Sequence, residues 1–347
     1  MNVKRTQLGL SVVELMVAML LGLILTAGLT QIFTSSQKSF RLAEALGRTQ
    51  ESGRIGLDIL GRSIRNADYW GCTRHEGVKS YLDTTHGSYD ADIHGFSEDE
   101  NIQTVAVAVA SAGDSAVSGS HVLTLRGVTG GEVRLRSEMD NVSSPLEVTS
   151  VAGIQKGDIL LLSDCSGGAI FQATDITAGA SPQIAQDAGG GVSPGNKAGG
   201  FEKAFATGEV YRPYVHRYEV RENNGRFALY LINGSAPAVE LVEDVIDMRI
   251  QVGEAASPGD TNVASWKDAS AAGIDFDAVV ALRVSLLVRS AADNVVETAQ
   301  ELCFPVWDAA CTDASPTNWT ATDRRKYQVY STTTSIRNRL IPDITGS

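Results

Sequence analysis

The chain has 347 residues, 43% of them hydrophobic and 20% charged, which excludes disorder throughout and suffices for one large folded domain or two smaller ones. A formal net charge of −12 argues against wholesale binding to nucleic acid or to an anionic membrane surface.

The first informative stretch is Lys4-Arg5-Thr6-Gln7-Leu8-Gly9-Leu10-Ser11-Val12-Val13-Glu14, which runs directly into an apolar segment at residues 15–33. That segment carries no charge, and its polar exceptions are Thr26, Thr30 and Gln31. As a helix it rises about 28 Å at about 1.5 Å per residue, close to the hydrocarbon thickness of a bilayer. An ordinary secretory signal has a shorter apolar core followed by a cleavage site. Here the cleavage signal, at Gly9, precedes the apolar run, so the hydrophobic segment is retained after processing. Lys4 and Arg5 ahead of the span place the leader in the cytoplasm and the bulk of the chain across the membrane.

Glu14 is the conspicuous residue of this stretch. A carboxylate at the edge of hydrocarbon is expensive unless paired or protonated, so it marks function by default. The opposite charge at hand is the free amine that cleavage would create on Leu10, of the same subunit or a neighbour. The plainer reading is a helix-start carboxylate favoured by the dipole.

Beyond residue 33 the helix is expected to continue to about residue 68, with no proline to stop it. Phe33, Phe40, Ala43, Leu46, Gln50, Gly53, Leu57, Leu60, Ile64 and Ala67 recur mostly at three- and four-residue steps, the period of one helical face. Gly22 and Gly28 read either as soft points where the helix bends or as close-packing positions against a partner helix. The stretch Asp68-Tyr69-Trp70-Gly71-Cys72 ends the helix, and residues 73–103 read as loop.

Short apolar or alternating runs then predict strands at 104–110, 122–125, 133–135, 146–151, 158–163 and 170–176. Residues 178–200, Gly-rich and of turn composition, read as a mobile loop or equally as a subdomain boundary. Longer strands are expected at 210–222, 227–232, 239–252, 279–288 and 327–336, with a turn or short helix allowed within 239–245. Asn224-Gly225 gives a hairpin signal between the first two. The fold class is α+β: one long N-terminal helix, transmembrane in its first half, packed on antiparallel sheet with an enlarged β-rich C-terminal region.

Four cysteines emerge with the domain into an oxidising compartment. Three connectivities are open to Cys72, Cys165, Cys303 and Cys311. The short separation of Cys303 and Cys311 favours their pairing, which leaves Cys72 with Cys165. A zinc site lacks a Cys-x-x-Cys pair or a His at ligand spacing. His75, His86 and His94, among Asp83, Asp90, Asp92, Glu98 and Asp99, lack tight metal-ligand spacing and read as solvated loop residues. The Gly-rich stretch 187–200 lacks the strand and helix a phosphate cradle needs. No hydrolase elbow, zinc-helix, P-loop or EF-hand pattern is present, so neither an enzyme nor a metal or other cofactor is expected. Trp266, Trp307 and Trp319 read as core caps or braces of the Cys303–Cys311 loop, with an adhesive surface as the other reading.

Gly9-Leu10-Ser11-Val12-Val13-Glu14 resembles the type IV prepilin cleavage and methylation motif, with glycine at the cut and glutamate at the fifth mature position. The resemblance implies a cut between Gly9 and Leu10 by a prepilin peptidase, N-methylation of Leu10, and a role for Glu14 in assembly. Leu10 stands where phenylalanine is commonest in that family. Trp70-Gly71-Cys72, Gly157-Asp158-Ile159-Leu160-Leu161-Leu162-Ser163-Asp164-Cys165, Phe171-Gln172-Ala173-Thr174, the run at 279–290 and Thr333-Thr334-Ser335-Ile336-Arg337-Asn338-Arg339 resemble PilW-type minor pilins, the pilus counterparts of GspJ-like minor pseudopilins. Cys72 and Cys165 both fall inside these blocks, which supports their pairing.

The resemblance implies a minor pilin that initiates assembly at or near the fibre tip and supports twitching motility or adhesion. Its partners would be other minor pilins, the major pilin and the inner-membrane assembly platform, with no nucleic acid. It would sit in the inner membrane with a periplasmic domain before joining a surface fibre. The implied organisation is a leader at 1–9, a transmembrane or filament-core helix at 10–33, an amphipathic continuation at 34–68, a variable β-rich region at 69–205 and a PilW-type sheet region at 206–347. The alternatives are a GspJ-like pseudopilin of type II secretion and a membrane-tethered binding protein.

Overall fold

The computed structural model describes residues 11–97, 100, 102–189, 191–257, 259–307, 311 and 318–340. Ser11 sits in extended backbone and its hydroxyl accepts from the Val13 N–H at 3.3 Å, the arrangement of an N-cap. From there helix α1 (Val12–Asn66) runs unbroken for 55 residues, a length of roughly 80 Å. It stays α-helical through Gly22 and Gly28, which corrects the expectation of local unwinding there. A Cβ built at either glycine meets nothing within 4 Å, so a close-packing role has no partner within this chain.

The second half of α1 buries one face, shifted from the expected stripe. The buried residues are Ala45, Thr49, Gly53, Gly56, Leu60, Gly61 and Ile64, whereas Phe33, Phe40, Ala43 and Gln50 are exposed. Bulk on the sheet side explains the shift. A Cβ on Gly53 would fall inside the Tyr330 ring, and one on Gly56 would lie 2.9 Å from Leu286 Cδ1. The sheet supplies the large side chains and the helix supplies the space. Gly53 lies on the expected stripe, but apolar periodicity scores glycine and threonine as neutral and misses Thr49, Gly56 and Gly61 as contact residues. Lower on the same face Leu60 and Ile64 are fully buried, each contributing about 1.5–3 kcal/mol relative to exposure.

The helix ends where Asp68 adopts a left-handed φ of 62°. The Ala67 N–H closes the last turn onto Ser63 O at 3.0 Å, and the Asp68 N–H leaves the helix for Arg126 O at 2.8 Å.

Seventeen strands are described after it. They begin with β1 (Val78–Ser80), β2 (Val105–Val109), β3 (His121–Arg134), β4 (Leu146–Glu147), β5 (Ile159–Asp164) and β6 (Gly167–Gln172). Then come β7 (Asp175–Thr177), β8 (Gln183–Ala185), β9 (Glu209–Asn223), β10 (Arg226–Asn233), β11 (Val239–Glu243) and β12 (Val245–Glu254). The last are β13 (Ser265–Asp268), β14 (Val279–Arg289), β15 (Glu301–Leu302), β16 (Trp319–Thr320) and β17 (Tyr327–Ser335).

The largest sheet has eight strands in the path β1-β6-β5-β9-β10-β11, with β3 on the other side of β9 and β2 beyond it. Strand β9 organises this sheet: Glu209 to Tyr211 pair with β5, His216 to Asn223 pair with β10, and its opposite edge pairs with β3. A second, antiparallel sheet has the order β13-β12-β14-β17, and its β14 and β17 carry the residues that meet α1. The core between α1 and the two sheets includes Leu60, Ile64, Leu125, Val220, Met248, Ile250, Val284 and Leu286. A separate cluster around Phe171, Phe201 and Phe205 fills the region between β4 and β9. The fold is thus α+β with a long apolar helix and a β-rich remainder.

Several local expectations are corrected. Residues 73–103 are not all loop: β1 pairs parallel with β6, and a single helical turn, α2 (Ala91–His94), follows Asp90. The runs at 122–125 and 133–135 belong to one strand, β3, whose register shifts between Gly130 and Val133 where Gly130 and Gly131 have φ of 94° and 101°. The expected strand at 239–252 is two, divided by Asp244 at φ 61°, and the turn or short helix allowed in its first half is strand β11.

The expected loop at 178–200 contains β8, and buried side-chain amides tie residues 195 and 196 to β6. Asn196 Oδ1 accepts from the Gln172 N–H and its Nδ2 donates to Gln172 O, both at 2.7 Å, while Gln172 Oε1 accepts from the Gly195 N–H at 2.7 Å.

Candidate assembly interface

Gly9 and Leu10, the residues of the expected cut, lie outside the described residues. Glu14 is described. It stands in the first turn of α1, exposed, where the partial positive charge of the helix start favours a carboxylate. It makes no hydrogen bond or ion pair among the described residues, so its charge is open to a partner from outside the described chain.

Above Glu14 the helix is bare. Every described residue from Ser11 to Arg41 is exposed; Val12, Met16, Leu23, Ile32 and Phe33 expose 75%, 66%, 69%, 69% and 62% of their surface. The hydroxyls on this stretch do not break its apolar character. Thr26 Oγ1 donates to Gly22 O at 2.7 Å, Thr30 Oγ1 to Thr26 O at 2.8 Å, and Thr34 Oγ1 to Gln31 O at 3.0 Å. Each threonine spends its donor on the helix's own backbone, leaving methyl groups outward. An apolar surface of this size around a helix requires a lipid or protein environment. By length and composition this helix can span a bilayer.

The character changes at the point where the sheet begins. Arg48 pairs with Glu44 at 3.0 Å and Arg62 pairs with Asp58, both one helical turn apart on exposed faces. Such pairs contribute about 0.3–0.5 kcal/mol each and mainly make the surface wettable. One rigid element therefore joins a water-excluding stalk to a solvated domain.

Two disulfides brace that domain. Cys72, just beyond the end of α1, is bonded to Cys165 in the turn between β5 and β6, with their Cα atoms 4.6 Å apart. Cys303 is bonded to Cys311 across 5.5 Å.

The three loop histidines are separately engaged. His75 Nε2 lies 2.8 Å from Phe96 O, His86 Nδ1 accepts from the Ser88 N–H at 3.2 Å, and His94 Nδ1 accepts from the Asp90 N–H at 3.0 Å. Among the described residues no group of three or more His, Cys, Asp or Glu side chains is placed to hold a metal ion. Trp319 packs on Tyr327 with ring centroids 4.8 Å apart, and Trp266 lies 4.3 Å beneath the Arg283 guanidinium. Trp307 is half-buried. None of the three projects as a free aromatic surface.

Sequence reasoning missed the contacts that seat α1 on the sheet: Gly53 against Tyr330, Gly56 against Leu286, and Arg339 at the helix end. Glycines at three-residue spacing late in an otherwise helical pattern were the available signal.

Residues 217–338 match the family model described as Type IV Pilus-assembly protein W, PilW. That PilW-matching region runs from within β9 through β17 into the last 3-10 turn, and so contains the whole sheet on which α1 sits. Of the resembling blocks, that at 279–290 and all but the last residue of that at 333–339 fall inside it, whereas Trp70-Gly71-Cys72 and the two blocks between residues 157 and 174 fall outside. Among solved structures the chain is similar to a type IV-like pilin from Thermus thermophilus at 11% identity, covering 87% of this chain and 98% of that one, with a TM-score of 0.33. No curated protein sequence matches it.

Proposed function

We propose that the protein is a minor pilin of a type IV pilus. The observation that carries this reading is the exposed apolar half of α1, continuous with a buried half seated on a sheet in the PilW-matching region. A helix bare of contacts around its whole circumference suits two successive environments, lipid before assembly and the packed helices of a fibre afterwards. Transfer between two apolar surroundings costs little hydrophobic free energy. The selective element is then Glu14.

In this reading a prepilin peptidase cuts between Gly9 and Leu10 and methylates the new amine, and Glu14 pairs with the Leu10 amine of a neighbouring subunit. Residues 10–33 hold the precursor in the inner membrane with the β-rich domain in the periplasm, and residues 34–68 lead into that domain. The subunit then joins other minor pilins and the major pilin through the assembly platform, initiates the fibre and stays at or near its tip. Twitching and adhesion depend on it through that priming step.

The test is a strain lacking the chromosomal copy and complemented with wild type or Glu14→Ala. Wild type restores surface pili; the variant is inserted and processed but absent from sheared fibres. Normal incorporation of Glu14→Ala would sink the assembly role of Glu14. Loss of protein secretion with intact pili in the deletion strain would overturn the pilus assignment.

A further inference from the structure

At the C-terminal end of α1, its last turn, β3, β9 and the 3-10 turn Arg337–Arg339 surround a recess of about 550 Å³. That volume lies within the range of small-ligand sites, about 300–1,000 Å³. Its wall includes Tyr214 and His216, which with the buried Tyr218 behind them alternate onto one face of β9 as an aromatic row.

The outer two members of the row serve the helix. Tyr218 Oη lies 2.7 Å from Ser63 Oγ, and Tyr214 Oη donates to Asn66 O at 3.2 Å. His216 stacks on Tyr214 at 4.3 Å and meets Tyr218 edge-on at 6.4 Å. Its ring nitrogens make no hydrogen bond among the described residues. Burial holds His216 below its ordinary pKa of 6.5, so at neutral pH it offers one N–H donor.

The rim is cationic. Arg65 and Arg337 both line the recess and are exposed, and neither guanidinium makes a hydrogen bond or ion pair among the described residues. Two opposing negative features are already neutralised. The helix-end carbonyls of Asn66 and Ala67 accept from Asn338 Nδ2 at 3.4 and 2.8 Å. Asp68, whose charge reaches Tyr214, pairs with Arg339 at 2.6 Å.

We propose that this recess binds an organic carboxylate carried on a flat apolar body. A guanidinium presents a fork of donors matched to a carboxylate, and two unpaired forks flank this wall. His216 supplies a further donor, and the Tyr214 and His216 rings with Val128 receive the apolar part. The site is independent of the fibre role, since none of its residues lies on the bare half of α1.

The test uses the full chain in detergent micelles with ¹³C-labelled histidine, and His216→Gln identifies the His216 resonance. Benzoate is the probe, with benzamide as its uncharged counterpart. The expected result is a saturable shift of the His216 signal by benzoate, at least tenfold weaker binding of benzamide, and at least tenfold weaker binding of benzoate to the Arg65→Gln/Arg337→Gln variant. Equal binding of benzamide to the wild type overturns the proposal, whatever the variant does. So does unchanged benzoate binding by the double variant, or inorganic phosphate binding as tightly as benzoate.

Discussion

Arg339 Nε stands 2.6 Å from Asp68 Oδ2, and both side chains are only 10% exposed. The same guanidinium donates to Val279 O at 2.7 Å and to Thr104 Oγ1 at 2.6 Å, and also to Phe276 O. One side chain near the end of the described chain thus ties the end of α1 to the start of β14 and to the residue before β2. With its donors spread over three segments, the charge is compensated where it is buried.

Removing one partner of a buried, hydrogen-bonded pair leaves the other uncompensated, at a cost of roughly 3–5 kcal/mol. Arg339→Met is therefore expected to lower stability by that amount, read by thermal or denaturant unfolding of the full chain in detergent. Arg41→Gln, at an exposed helix position without a partner among the described residues, is the control and leaves stability unchanged. An Arg339→Met variant within about 1 kcal/mol of wild type would show that the clamp is not structural.

The helix–sheet seat makes a paired prediction about two glycines on one helix. Gly53→Ala drives a methyl group into the Tyr330 ring and is expected to destabilise by about 1–3 kcal/mol, the range for overpacking. Gly47→Ala meets nothing within 4 Å and removes unfolded-chain entropy, so it stabilises by about 0.5–1 kcal/mol. Opposite signs in the same assay are the expected result. Two shifts of the same sign would place the face of α1 wrongly.

These elements divide by how local their causes are. The long helix and the β9–β10 hairpin are legible because their signals sit within a few residues: an uncharged run without proline, and Asn224-Gly225 with φ of 52° and 78° at the two central turn positions. Strand β1 is three residues long and owes its state to pairing with Gly168, Ala169 and Ile170 far along the chain. Strand β8 and the amide contacts between Gln172 and Asn196 fall where the composition of residues 178–200 alone reads as turn. Arg339 closes a PilW-resembling block, but nothing near it in the sequence points to Asp68, which the fold brings beside it. Glu14 stands out for the opposite reason: an acid at the edge of an apolar run is conspicuous without any fold, and its role is a matter for the assembly test.

The two disulfides are expected to differ in weight. Cys72 and Cys165 are 93 residues apart, and Cys303 and Cys311 are 8 apart. In the chain-entropy model the longer loop stabilises by roughly 4.6 kcal/mol and the shorter by roughly 2.5 kcal/mol. Cys72→Ser/Cys165→Ser should therefore lose more stability than Cys303→Ser/Cys311→Ser, and more readily fail to accumulate. The reverse order in melting temperature would show that the long cross-link is not what fixes the helix end to the β5–β6 turn.

Glu219 is one of the carboxyls that make the fold acid-sensitive. Its side chain is fully buried and accepts from Ser115 Oγ at 2.8 Å, Arg217 Nε at 2.8 Å and Arg221 Nε at 2.6 Å. Burial alone would raise its pKa, but the hydrogen bonds from Ser115 and Arg221 and the charges of both arginines outweigh it and hold the carboxyl below its ordinary value of 4.5. A depressed folded pKa means that the stabilisation is fully present above pH 4.5 and is lost as pH falls through the folded value. Glu219→Gln keeps the shape and removes the charge. At pH 7 it is expected to cost about 1–3 kcal/mol, less than a fully buried pair because Arg217 is 41% exposed. Below pH 4.5 the wild type loses the same contribution, so the difference in melting temperature between the two proteins should shrink steadily toward pH 3. A difference that stays constant across that range would mean that Glu219 acts through shape and not through its charge.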